Sequence, residues 1–274
     1  WQAIEREGRV ANEAELDRLM AIQDYHFSDG EVSLRFERTI APLIKAPQLM
    51  VEAQGPQGAA TSFIIDTGAS ATLIGSRSSL AREARISRRR FSSIGYQIEG
   101  HLGYLPALRI GSLVGPELPV AVTEQEHARY APSNILGIIQ LFHTQLEHRA
   151  GRWTMRTGSR RLAVSEPGWL RVPLQRGTQL VHLVAPDGRI VNGMIDTGAT
   201  RSVVLADVPE GHYRLMAEDG RVAAVVPADD SVEWPSFRMG GQPVHVLIGM
   251  DVFSERDWRL TFSEATWAMA PASR

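Results

Sequence analysis

The chain contains no cysteine. Disulfides, thiolate nucleophiles and zinc–thiolate sites are therefore excluded. It also lacks any apolar run approaching the roughly 20 residues that span a bilayer, so we expect no transmembrane segment within it. A formal net charge of −2 over 274 residues gives no electrostatic reason to expect nucleic acid as a partner.

Several catalytic patterns are missing as well. The chain has no Gly-rich phosphate loop and no Gly-x-Ser-x-Gly elbow of a serine hydrolase. His143 and His148 are five positions apart, whereas the zinc-binding helix needs His at i and i+4. We therefore predict neither a metal site nor a cofactor.

The most informative feature that is present is a repeated phrase. Asp66–Ser70 reads Asp-Thr-Gly-Ala-Ser, and Asp196–Thr200 reads Asp-Thr-Gly-Ala-Thr. Each copy follows an apolar, β-prone run, which places its Asp at the end of a buried strand. One Asp-Thr-Gly alone is typical of an ordinary turn. Two copies 130 residues apart indicate two similar lobes that each present one carboxylate.

The residues after each Asp have a physical interpretation. Gly68 and Gly198 allow a turn where a side chain would clash with the facing loop or with a ligand. Thr67 and Thr197 carry hydroxyls that can tie one loop to the other. Two facing carboxylates share one proton and can activate a water molecule, so the repeated Asp is interpreted as a general acid/base pair.

The repeat extends beyond this phrase. Four segments follow in the same order in each half: an Arg-Ile/Met-Gly segment, a short apolar strand, a hydrophobic-hydrophobic-Gly segment and a tryptophan strand. They are Leu108–Gly111, Pro119–Val122, Ile135–Gly137 and Trp153–Met155, then Phe237–Gly240, Pro243–Val246, Leu247–Gly249 and Trp267–Met269. Short β-branched segments bounded by Gly or Pro predict a mainly β protein.

Short helices are also expected. One is predicted near Ser76–Arg85, and another after Gly137 from the spacing of Leu141, Gln145 and His148.

These motifs resemble the active-site signature of the retropepsin-like and pepsin-like aspartic proteases. Ala69 and Ala199 match the retroviral type, and Gly249–Phe253 (Gly-Met-Asp-Val-Phe) is close to the form in bacterial retropepsin-like proteins. The first half departs from this form, with Gln140 near where Asp251 falls. The resemblance covers roughly residues 41–270.

The resemblance implies a fold and an activity. The fold is the mainly β, two-lobed acid-protease β-barrel with pseudo-twofold symmetry, to which this chain adds a short N-terminal helical extension. The activity is endopeptidase hydrolysis of a peptide or protein substrate by a catalytic dyad, Asp66 and Asp196, complete within a monomer. The alternative is a peptide-binding or assembly module that has kept the turns and lost useful catalysis.

Between each Asp phrase and its Arg-Ile/Met-Gly segment lies a hairpin-like stretch. Glu99–Gly100 and Asp219–Gly220 are the two turn signals. The resemblance places flaps there. The candidate flap residues are Tyr96, Tyr104 and Met216. The alternative for each Tyr is an ordinary half-buried strand position.

The expected organisation has four parts. They are an N-terminal helical extension (1–40), a first catalytic lobe (41–156), a linker (157–168) and a second catalytic lobe (169–274). Asn12–Glu15 resembles a capping box and precedes Leu16, Leu19 and Met20 at helical spacing. This helix either packs on a lobe or acts as a pro-segment over the cleft.

Two further stretches have open interpretations. Arg82, Arg85 and Arg88–Arg90 form a basic cluster that is either a solvated face, a groove favouring acidic peptide or a self-cleavage loop. Residues 123–134, which have no counterpart in the second half, form either a surface loop or a substrate-selecting loop. Composition leaves the compartment open. The start at Trp1 without Met is compatible with a removed signal peptide or membrane anchor and equally with a shortened chain, and our expectation is an extracytoplasmic, periplasmic setting.

Overall fold

The computed structural model describes residues 2–21, 25–38, 47–92, 99–123, 134–175, 178–205, 208–229 and 238–271. Within these ranges the chain is mainly β, which confirms the predicted class. The helices are α1 (Gln2–Arg6), α2 (Glu13–Met20), α3 (Ile138–Leu141) and α4 (Met250–Phe253), with 3₁₀ helices at Ser79–Arg82 and Gly158–Arg160. None of the helices in the described ranges is long and apolar enough to cross a membrane.

Twelve strands lie between residues 30 and 157. They are β1 (Gly30–Arg38), β2 (Pro47–Gln54), β3 (Ala60–Ile65), β4 (Thr72–Ile74), β5 (Arg85–Ser92), β6 (Glu99–Leu105), β7 (Leu108–Ile110), β8 (Leu113–Gly115), β9 (Leu118–Thr123), β10 (Asn134–Leu136), β11 (Gln145–Arg149) and β12 (Arg152–Thr157).

Eleven strands follow in the rest of the described chain. They are β13 (Leu170–Pro173), β14 (Leu180–Val184), β15 (Ile190–Ile195), β16 (Val203–Val204), β17 (Gly211–Met216), β18 (Val222–Ala228), β19 (Arg238–Met239), β20 (Gln242–Pro243), β21 (Val246–Ile248), β22 (Trp258–Thr261) and β23 (Thr266–Met269).

One large sheet contains strands from both halves of the chain. Its main path runs β13-β23-β22-β11-β12-β1-β2-β3-β10-β4-β9-β6-β5, and β7 and β8 branch from β2. A second sheet runs β16-β21-β15-β14-β17-β18. The division into two lobes related by a pseudo-twofold axis remains a prediction.

The same local pairing leads to both Asp phrases. β10 pairs parallel with β3 and antiparallel with β4. β21 pairs parallel with β15 and antiparallel with β16. Asp66 follows β3, which is hydrogen-bonded to β2 on one side and β10 on the other, and Asp196 follows β15, which is hydrogen-bonded to β14 and β21. Apolar side chains cover both faces of these strands. Burial on both faces explains why these runs read as continuous apolar stretches in the sequence.

Two expectations about local structure need correction. The short helix after Gly137 ends at Leu141, and Gln145 and His148 lie in β11 instead of continuing it. Helical spacing there coincides with a strand held by pairing with β12 and β22. Glu99–Gly100 is not a turn but the start of β6. Gly100 is needed because a Cβ there would lie 2.2 Å from the carbonyl oxygen of Val122.

Other local predictions are confirmed. A 3₁₀ helix at Ser79–Arg82 occupies the first predicted helical stretch. The predicted Asp219–Gly220 turn joins β17 to β18, with the amide of Ala217 donating to the carbonyl oxygen of Arg221 at 2.9 Å. Both tryptophan strands are present, in β12 and β23.

A buried ion pair crosses from β11 to β22. Arg259, which is 2% exposed, donates from Nε to Oε1 of Glu147 at 2.6 Å, and Glu147 is 3% exposed. The same guanidinium donates to Oε1 of Glu166 at 2.5 Å and to the carbonyl oxygen of Ala163 at 2.8 Å. Each side of the guanidinium therefore has an acceptor, as a buried charge requires.

Replacing Arg259 with Met is expected to lower the free energy of unfolding by about 3–5 kcal/mol, because the buried carboxylate of Glu147 loses one partner and keeps Arg156 as its remaining ion pair among the described residues. Urea denaturation followed by tryptophan fluorescence measures the change. The matched control is Arg149→Met, since Arg149 binds the same Glu166 from an exposed position and should cost less than about 1 kcal/mol. Equal losses in the two variants would contradict this account.

Candidate active site

The two Asp phrases form loops that hold each Asp in the same way. The backbone amide of Asp66 donates to the carbonyl oxygen of Leu136 at 3.1 Å, and that of Asp196 donates to the carbonyl oxygen of Ile248 at 3.0 Å. After the turn, the amide of Ile138 donates to Ala69, and the amide of Met250 donates to Ala199, at 2.8 and 2.9 Å. The neighbouring strand, β10 or β21, and the first residue of the helix that follows it thus hold each loop at both ends.

Each carboxylate is oriented by backbone donors of its own loop. Oδ1 of Asp66 accepts hydrogen bonds from the amides of Gly68 and Ala69 at 2.8 and 3.0 Å. Oδ1 of Asp196 accepts from the amides of Gly198 and Ala199 at 2.9 and 3.1 Å. One oxygen of each carboxylate is therefore held by the turn.

The two loops approach each other so closely that each carboxylate lies against the glycine of the other. A Cβ added to Gly68 would lie 2.5 Å from Cγ of Asp196, and one added to Gly198 would lie 2.3 Å from Cγ of Asp66. Real Cβ atoms essentially never come within 3.0 Å of another heavy atom in this way. The glycines are required by this close approach, as the sequence interpretation proposed.

The threonines tie the loops together through a reciprocal set of hydrogen bonds. Oγ1 of Thr67 donates to the carbonyl oxygen of Ile195 at 2.9 Å and accepts from the amide of Thr197 at 3.0 Å. Oγ1 of Thr197 donates to the carbonyl oxygen of Ile65 at 2.8 Å and accepts from the amide of Thr67 at 3.1 Å. Both side chains are fully buried. The four bonds fix the position of one Asp relative to the other.

The environment of the carboxyl pair favours protonation. Burial raises the pKa of Asp66 well above its ordinary value, and the nearby charge of Asp196 raises it further. Burial also raises the pKa of Asp196. Asp66 is the more enclosed of the two, being 6% exposed, whereas Asp196 is partly exposed. Two carboxyls in this arrangement titrate as one coupled unit that retains a proton to higher pH than a free Asp.

Next to each loop, a Ser or Thr hydroxyl links a backbone amide to a side-chain oxygen through two hydrogen bonds. This arrangement was not identified from the sequence. In the second half, the amide of Gly249 donates to Oγ of Ser202 at 3.0 Å, and that hydroxyl donates to Oδ1 of Asp251 at 2.8 Å. In the first half, the amide of Gly137 donates to Oγ1 of Thr72 at 3.1 Å, and Thr72 donates to Oε1 of Gln140 at 2.5 Å. The available signal was a hydroxyl residue six positions after each Asp.

Gln140 therefore occupies the acceptor position that Asp251 has in the second half. The longer Gln side chain reaches the hydroxyl from one position further along its helix. Gln at this position has a cost, because its Nε2 is buried and has no hydrogen-bond partner among the residues that the structure describes.

One support residue, Gln179, is replaced by Leu49 at the equivalent position in the described part of the first half. Nε2 of Gln179 donates to the carbonyl oxygen of Thr67 at 2.7 Å, and Gln179 is buried. Gln179 precedes Leu180, which pairs with Met194. In the first half Leu49 precedes Met50, which pairs with Ile64, so Leu49 is at the position equivalent to Gln179. The loop that carries Asp66 is thus supported by a side chain that precedes β14. The available sequence signal was a Gln directly before the first residue of β14.

The candidate flap residues lie in different surroundings. Tyr96 is outside the described residues. Tyr104 is buried in β6, where it packs with Leu16 and Leu19 of α2, which is the environment of a packed strand tyrosine. Met216 is partly buried at the end of β17. Their role as flap residues remains a prediction.

The histidines and acidic residues do not assemble a metal site in the described part of the chain. Among those residues, no group of three or more potential His, Asp or Glu ligands comes together. His148 instead stacks on Trp153, and its Nδ1 lies 2.8 Å from the carbonyl oxygen of Arg256. His143 stacks against His26 with ring centroids 4.0 Å apart.

Comparison with known proteins bears on the first half of this site. A family model described as an aspartyl protease matches residues 51–138, a stretch that contains the Asp66 loop and Gly137. A search of curated proteins gives no match. The match supports assignment to an aspartyl protease family, and at the level of the domain it supports peptide hydrolase activity on peptide substrates. Asp196 and its loop lie outside the matched stretch.

Replacing Gly198 with Ala is expected to lower kcat/KM for peptide cleavage by about 10²-fold or more, because the added Cβ displaces the Asp66 carboxylate from the shared position. Steady-state cleavage of a fluorogenic peptide measures the loss. Gly58→Ala is the control, since that turn glycine has open space around it, and the substitution strains only the local backbone. Full activity in Gly198→Ala would contradict the close approach of the two loops.

Proposed function

We propose that the chain is a single-chain aspartic endopeptidase in which Asp66 and Asp196 form the catalytic dyad. The observation that carries this proposal is the close approach of the two loops, each glycine lying against the opposite carboxylate. A pair of buried carboxyls built by matching loops has an evident chemical use. An isolated structural turn would need neither the second carboxylate nor the threonine bonds between the loops.

The proposed reaction uses one carboxylate and one carboxylic acid. The ionised group removes a proton from a water molecule held between the two, while the protonated group hydrogen-bonds to the scissile carbonyl oxygen and polarises it. Water attacks the carbonyl carbon and gives a tetrahedral gem-diol, and proton transfer to the nitrogen then releases the amine. No covalent intermediate and no cofactor are needed.

Burial raises the pKa of both carboxyls, so the pair retains one shared proton. The acid and base roles therefore belong to the pair and not to one named Asp. Aspartic proteases are the standard example of such a shared proton. Positioned proton transfer contributes roughly 10²–10⁴ in rate, and substrate orientation adds to it.

A peptide-library digest across pH tests the proposal. We expect cleavage that is strongest at mildly acid pH, where the pair holds one proton, and that declines as pH rises and the second carboxyl ionises. A statine-type peptide, whose hydroxyl mimics the tetrahedral intermediate, should inhibit it. Binding of the statine-type peptide with no cleavage at any pH would instead favour the peptide-binding alternative.

A further inference from the structure

The N-terminal segment, defined here as residues 2–21, packs along the edge of the large sheet. β5 is the last strand of that sheet, and Val10 forms a parallel bridge with Ile86. The amide of Ile86 donates to the carbonyl oxygen of Arg9 at 2.8 Å, and the amide of Ala11 donates to that of Ile86 at 2.9 Å. The segment therefore covers part of an edge that would otherwise expose unpaired backbone groups.

β5 is irregular where its arginines lie. Between Ile86 and Arg90 it has three residues opposite a single residue of β6. The buried Ser87 stabilises this bulge, because its Oγ accepts a hydrogen bond from the amide of Arg89 at 3.0 Å. A bulge breaks the alternation of side chains and redirects them.

The redirected arginines pair with acids of the N-terminal segment. Nη2 of Arg88 lies 3.0 Å from Oε1 of Glu5. Arg89 reaches two carboxylates, with Nε 3.0 Å from Oε2 of Glu13 and Nη1 2.5 Å from Oδ1 of Asp17. The basic cluster seen in the sequence is thus engaged within the chain. These pairs are exposed, so each contributes little and all are weakened by salt.

An apolar contact connects this segment to the Asp66 loop. Leu16 and Leu19 of α2 are buried with Ala11 and Tyr104, and the partly buried Leu102 packs against them. Leu102 also packs on a second cluster formed by Leu73, Ala121 and Ile135, on which Ala69 and Phe91 pack as well. Ala69 lies in the Asp66 loop. Leu102 is therefore the side chain shared by the α2 cluster and the cluster beside the loop.

We propose that the N-terminal segment is a clamp that holds the β5–β6 pair beside the Asp66 loop for peptide binding, with Leu102 as the positioning residue. This inference rests on the proposed function. The clamp acts on substrate affinity more than on chemistry, because the carboxylates are fixed separately by the threonine bonds between the loops. The segment is held by two backbone hydrogen bonds to β5, exposed ion pairs and a small apolar cluster, so its release needs less free energy than unfolding of the sheet.

Charge reversal of the two arginines tests the clamp in the full chain. Arg88→Glu with Arg89→Glu should raise KM for a peptide substrate about tenfold, while kcat changes less than about twofold. The reason is that loss of these ion pairs lowers the fraction of molecules in which the N-terminal segment holds β5 and β6 in place. Amide hydrogen exchange within residues 99–105 should become faster. Adding Glu5→Lys, Glu13→Lys and Asp17→Lys should restore both the KM and the rate of amide exchange. Arg189→Glu, which breaks an exposed pair with Asp187 in the turn between β14 and β15, should change neither.

The role of Leu102 has its own test. Leu102→Ala should raise KM about tenfold although the ion pairs stay intact, because the shared contact is lost. Leu102→Met keeps the volume and should stay within about twofold of the original KM. Equal KM values in the Ala and Met variants would overturn the positioning role.

The remaining outcomes are distinguishable. Unchanged exchange after charge reversal would overturn the clamp, and faster exchange with unchanged KM would overturn its link to substrate binding. A fall in KM on reversal would overturn the proposed direction and make the segment inhibitory. If the chain cleaves no peptide, the proposed function fails. In that case amide exchange and the affinity for a statine-type peptide still decide whether the clamp exists.

Discussion

Replacing either Asp66 or Asp196 with Asn is expected to lower kcat/KM for peptide cleavage by at least about 10³-fold, because an amide can neither accept the proton of the attacking water nor donate a carboxyl proton. Asn keeps the size of Asp, and its side-chain oxygen can still accept the loop amides that Oδ1 accepts. The fold should therefore remain. Cleavage of a fluorogenic peptide at mildly acid pH measures the loss, and substantial activity in either variant would contradict the dyad.

The same substitution has a second expected effect, on stability. The raised pKa of Asp66 means that the folded state binds more protons than the unfolded state between the two pKa values. Its contribution to stability is present below the unfolded pKa and is lost as pH rises through the folded pKa. Asn does not ionise, so Asp66→Asn should be more stable than the original chain near pH 7, by about 1–2 kcal/mol or roughly 2–8 °C in Tm. Near pH 3 the difference should vanish.

Asp219→Asn provides the control with the opposite sign. The side chain and backbone amide of Arg221 hold the pKa of Asp219 below its usual value. Its contribution is therefore present above the unfolded pKa and is lost as pH falls through the folded one. Asp219→Asn should be less stable than the original chain at neutral pH. If the dyad variants become more stable near pH 7 and Asp219→Asn does not, the gain reflects strain in the active site and not a general effect of removing charge.

The features that could be predicted are mainly those that depend on residues close together in the sequence. The Asp-Thr-Gly-Ala phrase specifies a turn, and its duplication indicates that two carboxylates come together. Runs such as Phe63–Ile65 have the apolar, β-prone composition of a buried strand, and β3 forms there. Asn12 caps α2 as the sequence indicated, with its Oδ1 accepting from the amides of Ala14 and Glu15. Apart from the duplication itself, each of these features depends on residues within a few positions of one another.

The unpredicted features depend on partners distant in the chain. Gln145–Arg149 has helical spacing, but pairing with β22, more than 100 residues later, makes it a strand. Gly100 looks like a turn residue, but it is needed where β9 passes closely beside β6. Gln179 gave no motif, because its acceptor is a backbone carbonyl of the opposite loop. Propensity and periodicity contain no information about such contacts.

The threonines illustrate both sides of this division. Their role as ties between the loops was predicted, but the acceptors are the backbone carbonyls of Ile65 and Ile195, which any residue could supply. The sequence therefore indicated that the threonines hydrogen-bond to the opposite loop, but not which atoms accept those bonds. The reciprocal arrangement makes the two threonines equivalent in the structure. This equivalence leads to a prediction about their energetic contributions.

Replacing Thr67 or Thr197 with Val is expected to lower the free energy of unfolding by about 2–4 kcal/mol in each case. Thr67→Val leaves the carbonyl of Ile195 and the amide of Thr197 buried without partners, and Thr197→Val does the same to the opposite pair. Cleavage should fall by about 10²-fold, because the carboxylates lose their fixed separation. Urea denaturation and peptide cleavage measure the two effects.

The double variant and a conservative control make this prediction specific. Thr67→Ser keeps the hydroxyl and should remain within about 1 kcal/mol of the original chain. In the double variant the second substitution should cost less than the first, because the loops have already separated and water can reach the groups left without partners. Strictly additive losses would show that the four bonds act independently. Loss of stability without loss of cleavage would show that these bonds do not set the geometry of the dyad.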